Sequence, residues 1–204
     1  TPLTKDGADY EQVHRWIQED LPSILPGTLI LLSSQMPVGT IARLERERPG
    51  RIWAYSPENI RVDHAVADFA QQARIVVGLR DRVRYQHLLD ALLSPLTLLI
   101  IYTSPETAEM VKHTLNAFLG LQIAFINEIA RVAAVVGANP EVISTALLTE
   151  RRISPHAPLR PGPPFGKGHL ARDLQTLSRI IDSYSLHAPL LKSIQPSNNT
   201  PLGG

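Results

Sequence analysis

The chain contains no cysteine among its 204 residues. That excludes disulfides, thiolate metal sites and thiol nucleophiles together. It leaves the compartment open, because an intracellular protein needs no cysteine. An excess of charge of one sign is also missing: 20 Lys+Arg against 19 Asp+Glu give a formal net charge of +1. No large field is therefore present to draw in nucleic acid or an anionic membrane surface. The longest apolar run, Leu96 to Tyr102, falls far short of the ~20 residues a membrane-spanning helix needs, and no stretch has the layout of a signal peptide. The histidines lack metal-ligand spacing such as His-Glu-x-x-His. His14, His64, His87, His113, His156 and His187 read as surface or packing residues, and no metal site is expected.

What is present alternates. Val13, Trp16, Ile17 and Leu21 have helical spacing, and Pro22, Pro26 and Gly27 stop that helix. Thr28 to Ser33 is a continuous apolar run, as in a strand buried on both faces of a parallel sheet. Pro37-Val38-Gly39 opens a short helix to about Glu47. Ile52 to Tyr55 and Ile75 to Gly78 predict strands, Asp81 to Leu93 a helix, and Leu96 to Tyr102 another strand. This succession predicts an α/β unit over residues 1–103. The Gly-x-Gly-x-x-Gly turn that would hold a dinucleotide pyrophosphate in such a unit is absent.

From Ser104 the character changes. Ser104-Pro105-Glu106 supplies an N-cap, proline at N1 and an acid in the first turn, and Gly137 supplies the stop. The long helix between them is apolar on more than one face, so it is expected to pack on two sides, one of them against a second subunit. Pro140 to Leu148 is a short helix. The prolines of His156 to Pro164 impose an extended loop. Leu170 to Tyr184 and Pro189 to Ile194 are the last helices. Residues 104–196 thus form an all-α domain, and 197–204 read as a linker remnant. The chain as a whole reads as a piece of a longer protein.

Several motifs, in order, carry a resemblance. They are Pro37-Val38-Gly39-Thr40, Tyr55-Ser56-Pro57-Glu58-Asn59-Ile60, Lys112-x-x-x-Asn116 with Asn127-Glu128, Gly137-Ala138, Arg152-Ile153, and Phe165-Gly166-Lys167-Gly168-His169 with Asp173. Together they resemble the UDP-glucose/GDP-mannose dehydrogenases, which oxidise a sugar C6 alcohol to a carboxylate with NAD. The resemblance implies a partial Rossmann-type parallel sheet followed by a helical central domain. It implies a UDP- or GDP-sugar substrate, a cytoplasmic protein and a homodimer through the helix 105–136, with no nucleic-acid or membrane partner.

The resemblance also assigns roles. Lys112 and Asn116, four apart on one helix face, would contact the sugar oxygen and stabilise developing charge. Glu58 would be a general base that activates water. Asn59, Ile60, Arg61, Arg160, Phe165 and Gly166 would line the substrate, and Thr1 and Ser34 would touch the cofactor. Asn59 replaces an aromatic preferred by the family, and Gln35 replaces a threonine. His169 stands where the family has its cysteine nucleophile. Spacing allows His169 and Asp173, four apart, to act as a base and its orienter. Equally, His169 could cap the helix start in a site that has lost its chemistry. Two functions follow: a fragment of a nucleotide-sugar 6-dehydrogenase, or a non-catalytic module for dimerisation and nucleotide-sugar binding.

Overall fold

A computed structural model of the chain describes residues 11–19, 21–57, 72–166 and 168–201. The elements, numbered over these residues, are α1 (Glu11–Glu19), β1 (Leu29–Leu32), α2 (Thr40–Glu47), β2 (Ile52–Tyr55), β3 (Ile75–Leu79), α3 (Arg82–Leu93) and β4 (Ile100–Thr103), then α4 (Pro105–Val136), α5 (Pro140–Thr149), α6 (His169–Ser183) and α7 (Pro189–Asn198). The chain divides into two compact units, 1–112 and 113–204. The division falls inside α4, so that helix contributes its first two turns to one unit and the remainder to the other.

The first unit is a four-stranded sheet in the order β1-β2-β3-β4 with helices on both faces. Strand residues alternate between the faces, as a two-residue period requires. Ile30, Leu32, Trp53, Tyr55 and Val76 meet Ile17, Ile41, Leu44 and Ala108 on one side. Ala54, Ile75, Val77 and Leu79 meet Leu89 and Leu93 on the other. A sheet unit followed by a helical region with one long helix is the fold class the sequence predicts.

Strand direction departs from the all-parallel expectation. β1–β2 and β3–β4 are parallel, but β2 and β3 are antiparallel, with Ala54 opposite Leu79 and Tyr55 opposite Gly78. An apolar strand covered on both faces reads the same in either direction, so the pattern carries no signal for it. The run from Leu96 also differs. Leu96 N–H closes the turn after α3 on Leu93 O, and Leu98 is fully exposed, so β4 begins only at Ile100.

One buried carboxylate organises the start of α2. Gly39 sits at φ 90°, a conformation glycine adopts without penalty, and no side chain of its own caps the helix. Glu109 of α4, fully buried, does so instead. Its Oε2 accepts from Gly39 N at 2.6 Å and its Oε1 from Ile41 N at 2.9 Å. A carboxylate on the first amides of a helix is both a cap and the favourable charge for that end of the dipole. Nearby, Arg80 spans Glu45 and Glu106. Its hydrogen bonds hold the Glu106 carboxyl below the usual carboxylate range.

In the second unit, α4 turns a face of small residues inward, with Ala117, Gly120 and Ala124 buried. A β-carbon on Gly120 would lie 3.4 Å from both Leu174 and Phe165, so the backbone is approached closely there. The helix ends at Gly137, φ 71°, with Ala138 N–H on Ala133 O, the 6→1 bond of a glycine C-cap. α6 buries Leu174, Leu177 and Ile181. α7 runs through Pro196 to Asn198 rather than stopping at Ile194, and Asn198 is buried, so residues 197 and 198 are part of the fold and not of a linker.

By length and composition α4 could cross a membrane, with a mean hydropathy of 1.6 in its most apolar window. Its buried polar side chains argue for a packed core helix instead: Glu109, His113, Asn116 and Asn127 all have hydrogen-bond partners within the chain.

Candidate functional site

A polar cluster stands inside the second unit, between α4 and α6. Asp173, with no exposed surface, lies one turn into α6 within four consecutive buried residues, Ala171 to Leu174. An enclosed carboxylate needs donors to replace water, and α4 supplies two. His113 Nδ1 lies 2.7 Å from Asp173 Oδ1, and Asn116 Nδ2 donates to Asp173 Oδ2. His113 and Asn116 are themselves buried. They are three residues apart on one face of α4, so both reach the same acceptor.

This geometry fixes the Asn116 amide. A carboxylate oxygen cannot donate unless protonated, so the NH2 group faces Asp173 and the Asn116 carbonyl oxygen points away from it. Lys112, half-buried, precedes Asn116 by one turn of the same helix.

The pairing of His169 with Asp173 is not what the structure shows. His169 is exposed at the first position of α6, and its Nδ1 lies 2.8 Å from Arg172 Nη2. A guanidinium can only donate, so His169 accepts through Nδ1 and carries its proton on Nε2. The four-residue spacing brings the two side chains to one side of the helix. Asp173, however, is drawn inward by two buried donors, while His169 remains at the exposed helix start. His113 also departs from the sequence expectation. It is a buried, hydrogen-bonded partner of the carboxylate, not a surface or packing histidine. The available signal was its position on the buried stripe of α4 that includes Glu109, Asn116, Gly120 and Asn127.

The loop before α6 is held by two asparagines. Asn127 Oδ1 accepts from Gly162 N at 3.0 Å. Asn198 accepts from Phe165 N at 2.9 Å and donates to Phe165 O at 3.0 Å, clamping both backbone groups of that residue. Phe165 is half-buried, while Gly166 and Arg160 are exposed in the same loop. Gly166 and Gly168 have open space where a β-carbon would stand. Ser34 is exposed in the loop that follows β1. Thr1, Glu58, Asn59, Ile60, Arg61 and Lys167 lie outside the described residues.

A dinucleotide diphosphate is best held by the free amides of a helix N-terminus. Among the described residues, the starts of α2, α3 and α4 are capped by side chains. At α2 the amides of Gly39 and Ile41 donate to Glu109, at α3 that of Arg84 donates to Asp81, and at α4 that of Thr107 donates to Ser104.

Comparison with known proteins gives a consistent result. Residues 106–200 match the family model "UDP-glucose/GDP-mannose dehydrogenase family, central domain". The UDP-glucose 6-dehydrogenase of Rickettsia typhi is 32% identical over 206 residues, covering 97% of this chain and 47% of that protein. The UDP-glucose 6-dehydrogenase YwqF of Bacillus subtilis is 30% identical, covering 98% of this chain and 47% of that protein. The solved structure of a UDP-glucose dehydrogenase from Pyrobaculum islandicum superposes with a TM-score of 0.85 at 28% identity, over 97% of this chain and 48% of that one. The chain therefore spans about half the length of the curated relatives it matches.

Proposed function

We propose that this chain, which belongs to the UDP-glucose/GDP-mannose dehydrogenase family, is the part of a nucleotide-sugar 6-dehydrogenase that holds the sugar end of a UDP- or GDP-sugar. The observation that carries this reading is the buried Asn116–Asp173 pairing, made by residues 57 apart in sequence with Lys112 one turn away. Converting an alcohol to an aldehyde removes a hydride from C6 and a proton from its hydroxyl. NAD, when bound, accepts the hydride.

The remaining steps fall to this chain. The Lys112 ammonium stabilises the negative charge that grows on the C6 oxygen, and the outward carbonyl oxygen of Asn116 accepts from the C6 hydroxyl and so orients it. Asp173, with both oxygens already accepting, orients rather than abstracts. The hydroxyl proton would leave to solvent; Glu58 would activate the water that adds to the aldehyde, giving a hydrate whose second hydride would pass to a second NAD and leave the carboxylate. His169, exposed beside Arg172, stands by resemblance at the position of the family's cysteine. A hydrate route needs no covalent intermediate there. Ser34 and Thr1 meet the cofactor only at its edge. Arg160, Phe165, Gly166 and the 59–61 segment line the nucleotide sugar, in the cytoplasm.

The test incubates the full-length polypeptide carrying this chain with NAD and either UDP-glucose, GDP-mannose or their N-acetylated relatives, following NADH absorbance. NADH formation that is lost in Lys112→Ala is expected. No NADH above a Lys112→Ala control with any of these sugars would sink the enzymatic reading.

A second reading, a module for dimerisation, is favoured by one observation. Phe118, Phe125 and Val132, seven residues apart along α4, are each about half exposed. Such an apolar stripe is a seam for a second helix. Sedimentation of this chain is expected to show a dimer that Phe118→Asp with Phe125→Asp dissociates. A clean monomer of the unaltered chain at high concentration would rule out the seam.

A further inference from the structure

We propose that His113 is a positioning residue: through Asp173 it sets the direction in which Asn116 presents its carbonyl oxygen. The inference rests on the dehydrogenase reading for its catalytic consequence, but not for its geometry.

A carboxylate held by one donor can rotate about its Cβ–Cγ bond, and an amide facing it can follow or flip. Two donors on different oxygens remove that freedom. Asp173 Oδ1 faces His113 Nδ1 at 2.7 Å, and Oδ2 receives Asn116 Nδ2. With Nδ1–H donating to Oδ1, the imidazole fixes the carboxylate plane. The fixed carboxylate then fixes the Asn116 amide with its NH2 inward and its oxygen outward. All three side chains are more than nine-tenths buried, so water cannot substitute for any one of them. His113 is thus placed to act on the substrate oxygen through Asn116 without touching the substrate itself. His169 is exposed at the start of α6 and lies against Arg172.

The chemistry of the donor suggests the variants. Asparagine places an amide N–H close to where the Nδ1–H of histidine stands, whereas phenylalanine fills the space with no donor. The first measurement is independent of turnover. In nitrogen-15 NMR of this chain, the His113 ring N–H proton should be protected from exchange and shifted downfield, and the two Asn116 side-chain amide protons should be distinct and slow to exchange. The ring signal should vanish in Asp173→Asn and survive in His169→Ala. The Asn116 signals should broaden or average in His113→Phe and persist in His113→Asn.

The second measurement is kinetic, in the full-length polypeptide. His113→Phe should lower kcat by more than about thirtyfold with KM changed by less than about threefold, and His113→Asn should stay within about threefold of the unaltered protein. Asn116 amide signals unchanged in a folded His113→Phe variant would overturn the proposal. So would a kcat in His113→Asn as low as in His113→Phe. An unaltered protein that oxidises no nucleotide sugar would refute the dehydrogenase reading, and the NMR signals would still decide whether His113 positions Asn116.

Discussion

Gly78→Ala is expected to destabilise the first unit by ~3 kcal/mol or more, at the top of the range for overpacking a core. Gly78 lies in β3, opposite Tyr55 on one side and Thr103 on the other. Its missing side chain would face the same side of the sheet as Val76, where α4 begins. A β-carbon there would stand 2.6 Å from Pro105 Cα, 2.9 Å from Ala108 Cβ and 3.1 Å from Pro105 N. Two of these three atoms are backbone, so no rotamer change can relieve the clash. Either the strand must leave its ladder or the first turn of α4 must lift from the sheet. Lifting it would also pull Glu109 from the amides of Gly39 and Ile41. Trp53, buried in the same cluster, provides a fluorescence probe for urea unfolding. Gly166→Ala is the control, because nothing stands within 4 Å of its β-carbon position, and a change of at most ~0.5 kcal/mol is expected for such an open site. A Gly78→Ala protein that unfolds at the midpoint of the unaltered chain would refute this account of how β3 and α4 pack.

Some of this architecture was legible because backbone chemistry announces it. Ser104-Pro105 starts α4 and Gly137 ends it, since a missing N–H is tolerated at one end and a positive φ is required at the other. Asp81 and Asn139 likewise mark the starts of α3 and α5, each with its side chain accepting from the first turn. Strand direction was not legible, because Ala54, Tyr55, Gly78 and Leu79 are buried and carry no polar face to record an orientation. The end of α7 was misread for a related reason. Pro196 suggests a stop, but the hydrogen bonds that Asn198 makes to Phe165 come from 33 residues away and leave no local trace.

The site divides in the same manner. Which residues matter on α4 and α6 could be proposed from spacing and resemblance, and Asn116 and Asp173 do meet. Which partner Asp173 takes could not. The rule that residues four apart are neighbours favours His169, but it ignores how deeply each end of that helix turn is buried. Desolvation decides the outcome. A carboxylate with no exposed surface is held by the donors that are buried with it, and those are His113 and Asn116.

Removing that carboxylate should therefore be among the most damaging single changes in the second unit. Asp173→Ala leaves two buried donors facing a void. Each buried donor left without its acceptor costs about 1–3 kcal/mol, so a loss of ~3 kcal/mol or more is expected. Asp173→Asn keeps the shape and one acceptor oxygen but turns an NH2 toward the other donor, so a smaller loss of ~2 kcal/mol is expected, close to that of one unsatisfied buried polar group. His169→Ala, at an exposed position, should change stability by no more than ~0.5 kcal/mol. Chemical denaturation of the three variants gives this order directly. Equal small losses for Asp173→Ala and His169→Ala would mean that Asp173 is not the keystone of the α4–α6 contact. A triple replacement of His113, Asn116 and Asp173 by leucine sharpens the argument. Apolar residues of similar size can be neutral or stabilising where a paired polar cluster stood, by up to ~4 kcal/mol. If the triple variant folds at least as well as the unaltered chain while Asp173→Ala does not, the polar cluster is costly to the fold. Its presence is then explained by what it holds in place, the outward-facing oxygen of Asn116 one turn from Lys112.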